Sequence, residues 1–489
     1  MSEHHYIACD LGAESGRVIL GNLRRGKVTL EEIHRFPNGP VRIAGSLRWD
    51  VLRIFEELKI GLRKVATSGV VAESLSVDSW GVDYVLTGAA QPMLALPHHY
   101  RDSRTDRTYS SALEMPGPEL IFSETGIQFM SINTLYQFMA EMERSPRLLE
   151  IADQFLTIAD YLNFLFSGAA AIEESLASTT QLYNPVTRAW SGRLIEQFGF
   201  PRRIFPQIVP SGARLGRLLS EIVAETGVPA LEVIATCSHD TGAAVAAVPA
   251  SGDDWAFLSS GTWSLIGVEL PAPLVNEAAR AHNFTNEAGF GGTTRFLKNI
   301  GGLWLLQESR RAWAKAGREL DYASLALQAE AAEPFRSLIN PADSRFLKPD
   351  DMPEKIAAFC RETGQPEPEN PGQFTRCIYE SLALLYRSTL QELEQVTGRT
   401  IRRLHIVGGG SQSALLNQFA ANATGRPVLA GPVEATALGN VLIQAIALGH
   451  LDSLATLRET VRASFTISDY QPVQCAEWHK AFARFRRLY

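Results

Sequence analysis

Residues 6–23, Tyr6-Ile-Ala-Cys-Asp-Leu-Gly-Ala-Glu-Ser-Gly-Arg-Val-Ile-Leu-Gly-Asn-Leu23, place two apolar runs on either side of a small polar turn. Runs of this length bounded by Gly, Ser and Asp read as two strands of a hairpin. Outward from it, residues 49–65 carry Val51, Leu52, Ile54, Phe55, Leu58, Leu62 and Val65 at helical spacing, and residues 74–86 return to strand. Strand, helix, strand is the grammar of an α/β fold. Helical spacing recurs over residues 134–144, 148–155 and 159–166, an insertion before the strand 232–236. That strand runs into Ser238-His-Asp-Thr-Gly-Ala-Ala-Val, a strand, turn and helix.

The same layout returns in the second half. Trp255-Ala-Phe-Leu-Ser-Ser-Gly-Thr-Trp-Ser-Leu-Ile-Gly-Val-Glu-Leu270 is again strand, small polar turn, strand, so the halves read as architectural duplicates. Just before it, Pro249-Ala-Ser-Gly-Asp-Asp254 is the stretch richest in turn formers. A chain of 489 residues is long enough for two or three domains, and the boundary is expected there, giving domains 1–248 and 249–489. Helices are expected over residues 377–396, 412–423 and 434–448, and surface loops over 341–355 and 362–373.

Forty-six Lys and Arg against 53 Asp and Glu give a net charge of −7 with no basic block. Neither nucleic acid nor a membrane surface is expected as a partner. The opening Met1-Ser2-Glu3-His4-His5 lacks the layout of a signal peptide, and no run is apolar enough to span a bilayer, so a cytoplasmic protein is expected. Five scattered cysteines without a C-x-x-C pair indicate neither a disulfide framework nor a structural zinc site; Cys360 and Cys377 alone flank one Pro-rich stretch closely enough to meet.

The motifs point to phosphate. No G-x-x-x-x-G-K-[ST] and no G-x-G-x-x-G after a strand is present. Instead, three Gly- and hydroxyl-rich turns follow strands: Asp10-Leu-Gly-Ala-Glu-Ser-Gly-Arg17, Ser259-Ser-Gly-Thr-Trp263 and Val407-Gly-Gly-Gly-Ser-Gln412. Consecutive backbone N–H groups with Ser or Thr hydroxyls form an anion-binding concavity that needs no lysine. Asp10, at a strand end beside its turn, could hold hydrated Mg²⁺ or simply cap the turn, and Arg17 could offer its fork to a phosphate. Asp240 is the catalytic candidate, because His239-Asp-Thr-Gly sets a carboxylate at a strand's C-terminal end, although an Asp there also suits a helix cap. Trp80 and Gly81 could line a sugar pocket, and core packing explains the Trp equally well.

Taken together, Asp10-Leu-Gly-Ala-Glu-Ser-Gly-Arg, Asp78-Ser-Trp-Gly-Val-Asp, Ser238-His-Asp-Thr, Ser259-Ser-Gly-Thr-Trp-Ser, His405-Ile-Val-Gly-Gly-Gly and Gly431-Pro-Val-Glu-Ala-Thr-Ala-Leu-Gly-Asn440 resemble the FGGY carbohydrate kinases. Gly126-Ile-Gln-Phe, Asn133-Thr-Leu-Tyr-Gln and Lys298-Asn-Ile-Gly-Gly-Leu-Trp favour the branch acting on L-rhamnulose. The resemblance implies the actin-like ATPase fold, two duplicated domains of ribonuclease-H-like topology with a cleft between them. It implies ATP-dependent phosphorylation of the 1-hydroxyl of that ketose, with L-fuculose or L-xylulose as alternative substrates and a non-catalytic, nucleotide-driven sugar sensor as the alternative role. It assigns Asp240 as general base. Gly81, His239, Asp240, Thr241 and Asn299 would hold the sugar, while Ala13, Glu14, Ser15, Gly16, Arg17, Thr262, Gln307 and Gly409 would hold ATP, with Mg²⁺ at Asp10. Glu14 stands where many relatives carry Ser or Thr, which leaves the contact there to its backbone amide. Monomers or weak homo-oligomers are expected.

Overall fold

The opening hairpin forms as its alternation requires. Strand β1 (Glu3–Leu11) pairs antiparallel with β2 (Ser15–Arg24), Asp10 opposite Arg17, and β2 pairs with β3 (Lys27–Pro37). On its other side β1 runs parallel to β4 (Ser74–Asp78), with Asp10 in register with Asp78. The sheet continues through β6 (Glu232–Ala235), parallel to β4, to the antiparallel edge β5 (Ala213–Arg217). Its order is therefore β5-β6-β4-β1-β2-β3.

Helix Val51–Ser68 shows how local sequence sets this framework. Asp50 accepts the Arg53 N–H at its N-terminus, Gly69 closes it at φ 77°, and Val51, Ile54, Leu58, Leu62 and Val65 bury one face. Each such side chain contributes roughly 1.5–3 kcal/mol when fully buried.

The second sheet repeats the plan. Strands β7 (Trp255–Ser260) and β8 (Trp263–Leu270) are antiparallel, with β9 (Thr294–Gly301) beyond them. On the other side β7 runs parallel to β10 (Arg403–Val407), β10 parallel to β11 (Val428–Ala430), and β12 (Ser468–Tyr470) closes the edge antiparallel. In both sheets an antiparallel hairpin is followed by two parallel pairings and an antiparallel edge, which is the duplication expected from the two strand-turn-strand runs; the second sheet has a seventh strand, Thr285–Ala288, beyond β9.

This computed structural model describes residues 3–348, 350–473 and 475–489. Met1 and Ser2 lie outside the described residues, as does Pro349 of the expected loop 341–355. The chain clusters into two compact units. Unit 1 comprises Met1–Pro249, Glu269–Phe296 and Ala435–Ser464; unit 2 comprises Ala250–Val268, Leu297–Glu434 and Phe465–Tyr489. Among the described residues no helix is long and apolar enough to cross a membrane.

Several expected elements differ: the strand 74–86 divides into Ser74–Asp78 and Tyr84–Thr87, which lie in different sheets, and the loop 362–373 ends where Asn370 caps helix Pro371–Thr397. Residues 148–155 do not form one helix: a short helix Pro146–Ile151 gives way to strand Gln154–Thr157, which pairs with Tyr84–Thr87 and so wins backbone partners that a helix end lacks. The loop 341–355 ends early, because Asp351 caps helix Met352–Glu362 by accepting the Glu354 N–H. All five cysteines are free thiols, and Cys360 and Cys377 meet through a side-chain hydrogen bond.

Candidate active site

In unit 1 the C-terminal ends of β1 and β4 and the turn after β6 carry Asp10, Asp78 and Asp240. Asp10 is buried and ion-paired with Arg17. That pairing occupies the arginine fork expected to reach a phosphate, since Arg17 sits directly across the hairpin from Asp10. Asp78 is fully buried; its Oδ2 accepts a 2.6 Å hydrogen bond from Asn440 Nδ2, while its Oδ1 has no partner. Burial first, then the neighbouring Asp10 charge, pushes its carboxyl well above the usual range.

Asp240 is the first residue of helix Asp240–Ala246, and His239 occupies the cap position. Its Oδ1 accepts from the Thr241 N–H at 2.6 Å and from Thr241 Oγ1 at 3.2 Å, so the side chain stays at the turn instead of reaching into the helix. Its backbone is fixed to β4: Asp240 N–H donates to Ser79 O and Ser79 N–H to Ser238 O, each at 2.9 Å. The side chain is 31% exposed, and desolvation raises its pKa. A carboxylate tethered on both sides, open to solvent and inclined to hold a proton has the features a general base needs.

His239 is held by groups that the sequence did not single out. Its Nδ1 lies 3.2 Å from Arg295 Nη2 and 3.3 Å from Glu287 Oε2, and its Nε2 lies 3.4 Å from Asp240 Oδ1. Arg295 is wholly buried and pairs with Glu287 at 3.0 Å. Arg295 and Glu287 both face Nδ1, which fixes the ring with its Nε2 edge turned to Asp240. Below the turn, buried Glu173 accepts from the Ser238 N–H at 3.0 Å and from the hydroxyl of Ser175, which in turn receives the His239 N–H at 3.0 Å. No local motif marks Glu173, Glu287 or Arg295; their role comes from long-range packing.

Gly81 lies on the same side. A Cβ there would come within 2.8 Å of the Thr179 side chain. The next residue, Val82, takes φ 68°, unusual for a β-branched residue, and is held by Thr179 Oγ1 on its N–H and by Thr134 and Gln137 on its carbonyl. Trp80 proves to be core: it packs tilted against Trp49 with ring centroids 4.1 Å apart, and both indoles donate to Asp83. In the hairpin turn, Gly12 N–H bonds Ser15 O, while Asn38 braces both sides, its N–H on Glu14 O and its side-chain amide on Gly12 O. Glu14 itself is exposed.

Unit 2 gathers Thr262, Gln307 and Gly409. The β7–β8 turn holds Thr262, whose carbonyl receives the N–H of Trp304 at 3.1 Å, the first residue of helix Trp304–Lys315. Gln307 lies one turn along that helix, its buried Oε1 without a protein partner. The β10 turn approaches so closely that a Cβ on Gly410 would fall 2.0 Å from Ser260 Oγ, whereas at Gly409 it would meet open space. Asn299 is on β9, in unit 2. The structure thus places Asp10, Ala13 to Arg17, Gly81, His239, Asp240 and Thr241 in unit 1 and Thr262, Gln307, Asn299 and Gly409 in unit 2.

Models of the FGGY family of carbohydrate kinases match residues 5–247 (N-terminal domain) and 256–448 (C-terminal domain). The chain belongs to the FGGY family of carbohydrate kinases. It is 43% identical over 484 residues to a rhamnulokinase of Bacteroides thetaiotaomicron, covering 99% of each chain, and 43% identical over 470 residues to one of Enterococcus faecalis, covering 95% of this chain and 94% of that one. Among solved structures, a ligand-bound xylulose kinase from Lactobacillus acidophilus superposes with TM-score 0.82 over 99% of this chain and 97% of its own at 16% identity. Plasmodium falciparum glycerol kinase with ADP gives 0.77 over 99% and 98% at 14%. These distant likenesses establish the two-domain, actin-like ATPase fold of FGGY kinases. The chain is accordingly a carbohydrate kinase, and ATP is its phosphoryl donor.

Proposed function

We propose that this enzyme transfers the γ-phosphoryl group of ATP to the 1-hydroxyl of L-rhamnulose, with Asp240 as general base. The observation that carries the substrate is the 43% identity to rhamnulokinases along nearly the whole chain. Likeness to xylulose kinases is confined to the fold.

A sugar hydroxyl is a weak nucleophile near neutral pH, so a carboxylate within hydrogen-bond reach must orient it and take its proton as the bond to phosphorus forms. Asp240 performs that task from a fixed backbone. Gly81, His239, Thr241 and Asn299 hold the sugar, the Nε2 edge of His239 lying beside the base. The backbone of residues 13–17, together with Thr262, Gln307 and Gly409, holds ATP; the unpartnered Oε1 of Gln307 is an acceptor suited to a nucleotide N–H or O–H. Residues 1–248 carry the base and every sugar contact except Asn299, while the nucleotide is shared between residues 13–17 and Thr262, Gln307 and Gly409 of residues 249–489.

The oxygen donors of Asp10 and the unpartnered Oδ1 of Asp78 fit a hard divalent cation such as Mg²⁺. When bound, it would neutralise phosphate charge. The enzyme acts in the cytoplasm as a monomer or weak homo-oligomer.

The test is a coupled ADP-release assay over a panel of ketoses with ATP and Mg²⁺. L-rhamnulose should give the highest kcat/KM, with the new phosphate on carbon 1 by phosphorus NMR; preference for L-fuculose or L-xylulose, or release of ADP without sugar phosphate, would reject the proposal.

A further inference from the structure

At the end of β1 remote from Asp10, unit 1 assembles a second cluster. His4 pairs with Leu23 of β2; Glu73 immediately precedes β4 and donates its N–H to His5 O at 2.8 Å; His450 follows helix Ala435–Ala447 and the positive-φ Gly449, its own N–H on Ala445 O at 2.8 Å. Three side chains from three distant parts of the chain therefore converge from fixed backbone. Six residues of strand, about 20 Å, separate His4 from Asp10.

The donor atoms face one another. His4 Nδ1 donates to Glu73 Oε1 at 2.7 Å, His450 Nε2 lies 3.6 Å from Glu73 Oε2, and one ligand atom from each residue falls within 4.8 Å of the others. Among the described residues no other group of three His, Cys, Asp or Glu meets that condition. The imidazoles stack with centroids 3.6 Å apart. On the far side of His450, Tyr6 Oη lies 2.7 Å from Nδ1, which is the outer-sphere partner that orients a ligating histidine. The His side chains are 20% and 19% exposed and Glu73 39%, so the cluster is supported from below and open above.

We propose that His4, Glu73 and His450 form a binding site for one borderline divalent transition-metal ion, of which Zn²⁺ and Co²⁺ are the best matched. Two imidazoles and one carboxylate with an open fourth position is a zinc-type donor set, too nitrogen-rich for Mg²⁺ or Ca²⁺. An ion about 2.0–2.2 Å from tetrahedral ligands spaces them by about 3.4 Å; one donor atom from each residue already lies within 4.8 Å of the others, so binding draws them closer and turns the rings out of their stack. In the bound form His4 ligates through Nδ1 with its single ring proton on Nε2, and His450 ligates through Nε2 with its single ring proton on Nδ1, donated in a hydrogen bond to Tyr6 Oη. The ion would pin the returning segment Ala435–Ser464 to β1 and β4.

The test uses the full chain without a histidine tag, stripped of metal and titrated with Co²⁺, then with Zn²⁺ in competition. One equivalent of Co²⁺ should give the visible bands of a tetrahedral nitrogen and oxygen site without a thiolate charge-transfer band, which distinguishes it from Cys360 and Cys377. Zn²⁺ should displace it and raise the Tm. Glu73→Gln and His450→Gln should each weaken binding by about tenfold or more. Absence of stoichiometric binding, or unchanged affinity in the variants, would overturn the proposal. Should His450→Gln not fold, Glu73→Gln, altered at a partly exposed side chain, decides alone.

Discussion

At the residue scale the account depends on what surrounds Asp240. Arg295, wholly buried and pinned between Glu287 and His239, sets the imidazole so that Nε2 faces the base. Lysine keeps the charge and loses the planar fork. Arg295→Lys should therefore lower kcat by about 10- to 100-fold while leaving the KM for ATP unchanged, as steady-state kinetics would show; wild-type kcat in a folded variant would remove Arg295 from the positioning role. The pH dependence follows from the sign of the Asp240 shift. Burial disfavours the charged form, so its pKa lies above the ordinary 3.8, and the base must be ionised to act. The acid limb of kcat/KM should fall away above pH 3.8 as pH drops; a profile flat to that value would contradict the assignment. Asp240 was legible in the sequence because strand, polar turn and small-residue helix are adjacent. Glu287 and Arg295 were not, because nothing near them in sequence announces that they fold back under His239.

At the element scale, helix Ala435–Ala447 decides how the base is carried. Its polar face is a buried ladder: Asn440 donates to Asp78, Gln444 donates to Asn440 and to Ile7 O, and Ser74 donates to Gln444. It also packs against helix Asp240–Ala246, so closely that a Cβ on Gly439 would lie 1.9 Å from Ala243 O. Gly439→Ala must push helix Asp240–Ala246 away. It should lower stability by about 1–3 kcal/mol and reduce kcat as well, measured by urea unfolding and steady-state kinetics on one preparation. An unperturbed kcat would mean that the helix contact does not position Asp240. The existence of this helix was readable from its apolar spacing, but its partner was not, since spacing identifies a buried face and not what buries it. The same limit explains residues 148–155, where helical spacing yielded to strand pairing with Tyr84–Thr87.

At the scale of the whole molecule, the chain returns to unit 1 twice after leaving it at Pro249. The turn-rich linker is visible in the sequence; the returns of Glu269–Phe296 and Ala435–Ser464 are not, because the first begins and ends inside strands β8 and β9 and the second coincides with helices Ala435–Ala447 and Leu454–Ser464, whose spacing marks helices and not the unit they join. A fragment of residues 1–249 lacks the partners of Asp78, Ser74 and His239, leaving buried polar groups unpaired. It should show no cooperative thermal transition by circular dichroism, whereas a sharp melt of that fragment alone would contradict the interdependence of the three segments. The central claim, that the Asp240 carboxylate takes the proton of the ketose hydroxyl, is tested most directly by single-turnover phosphorylation of L-rhamnulose by Asp240→Asn beside the wild type, with ATP binding measured on the same samples. The account predicts retained nucleotide affinity and a rate reduced by about 10²–10⁴-fold or more; wild-type phosphoryl transfer by the folded variant would contradict it.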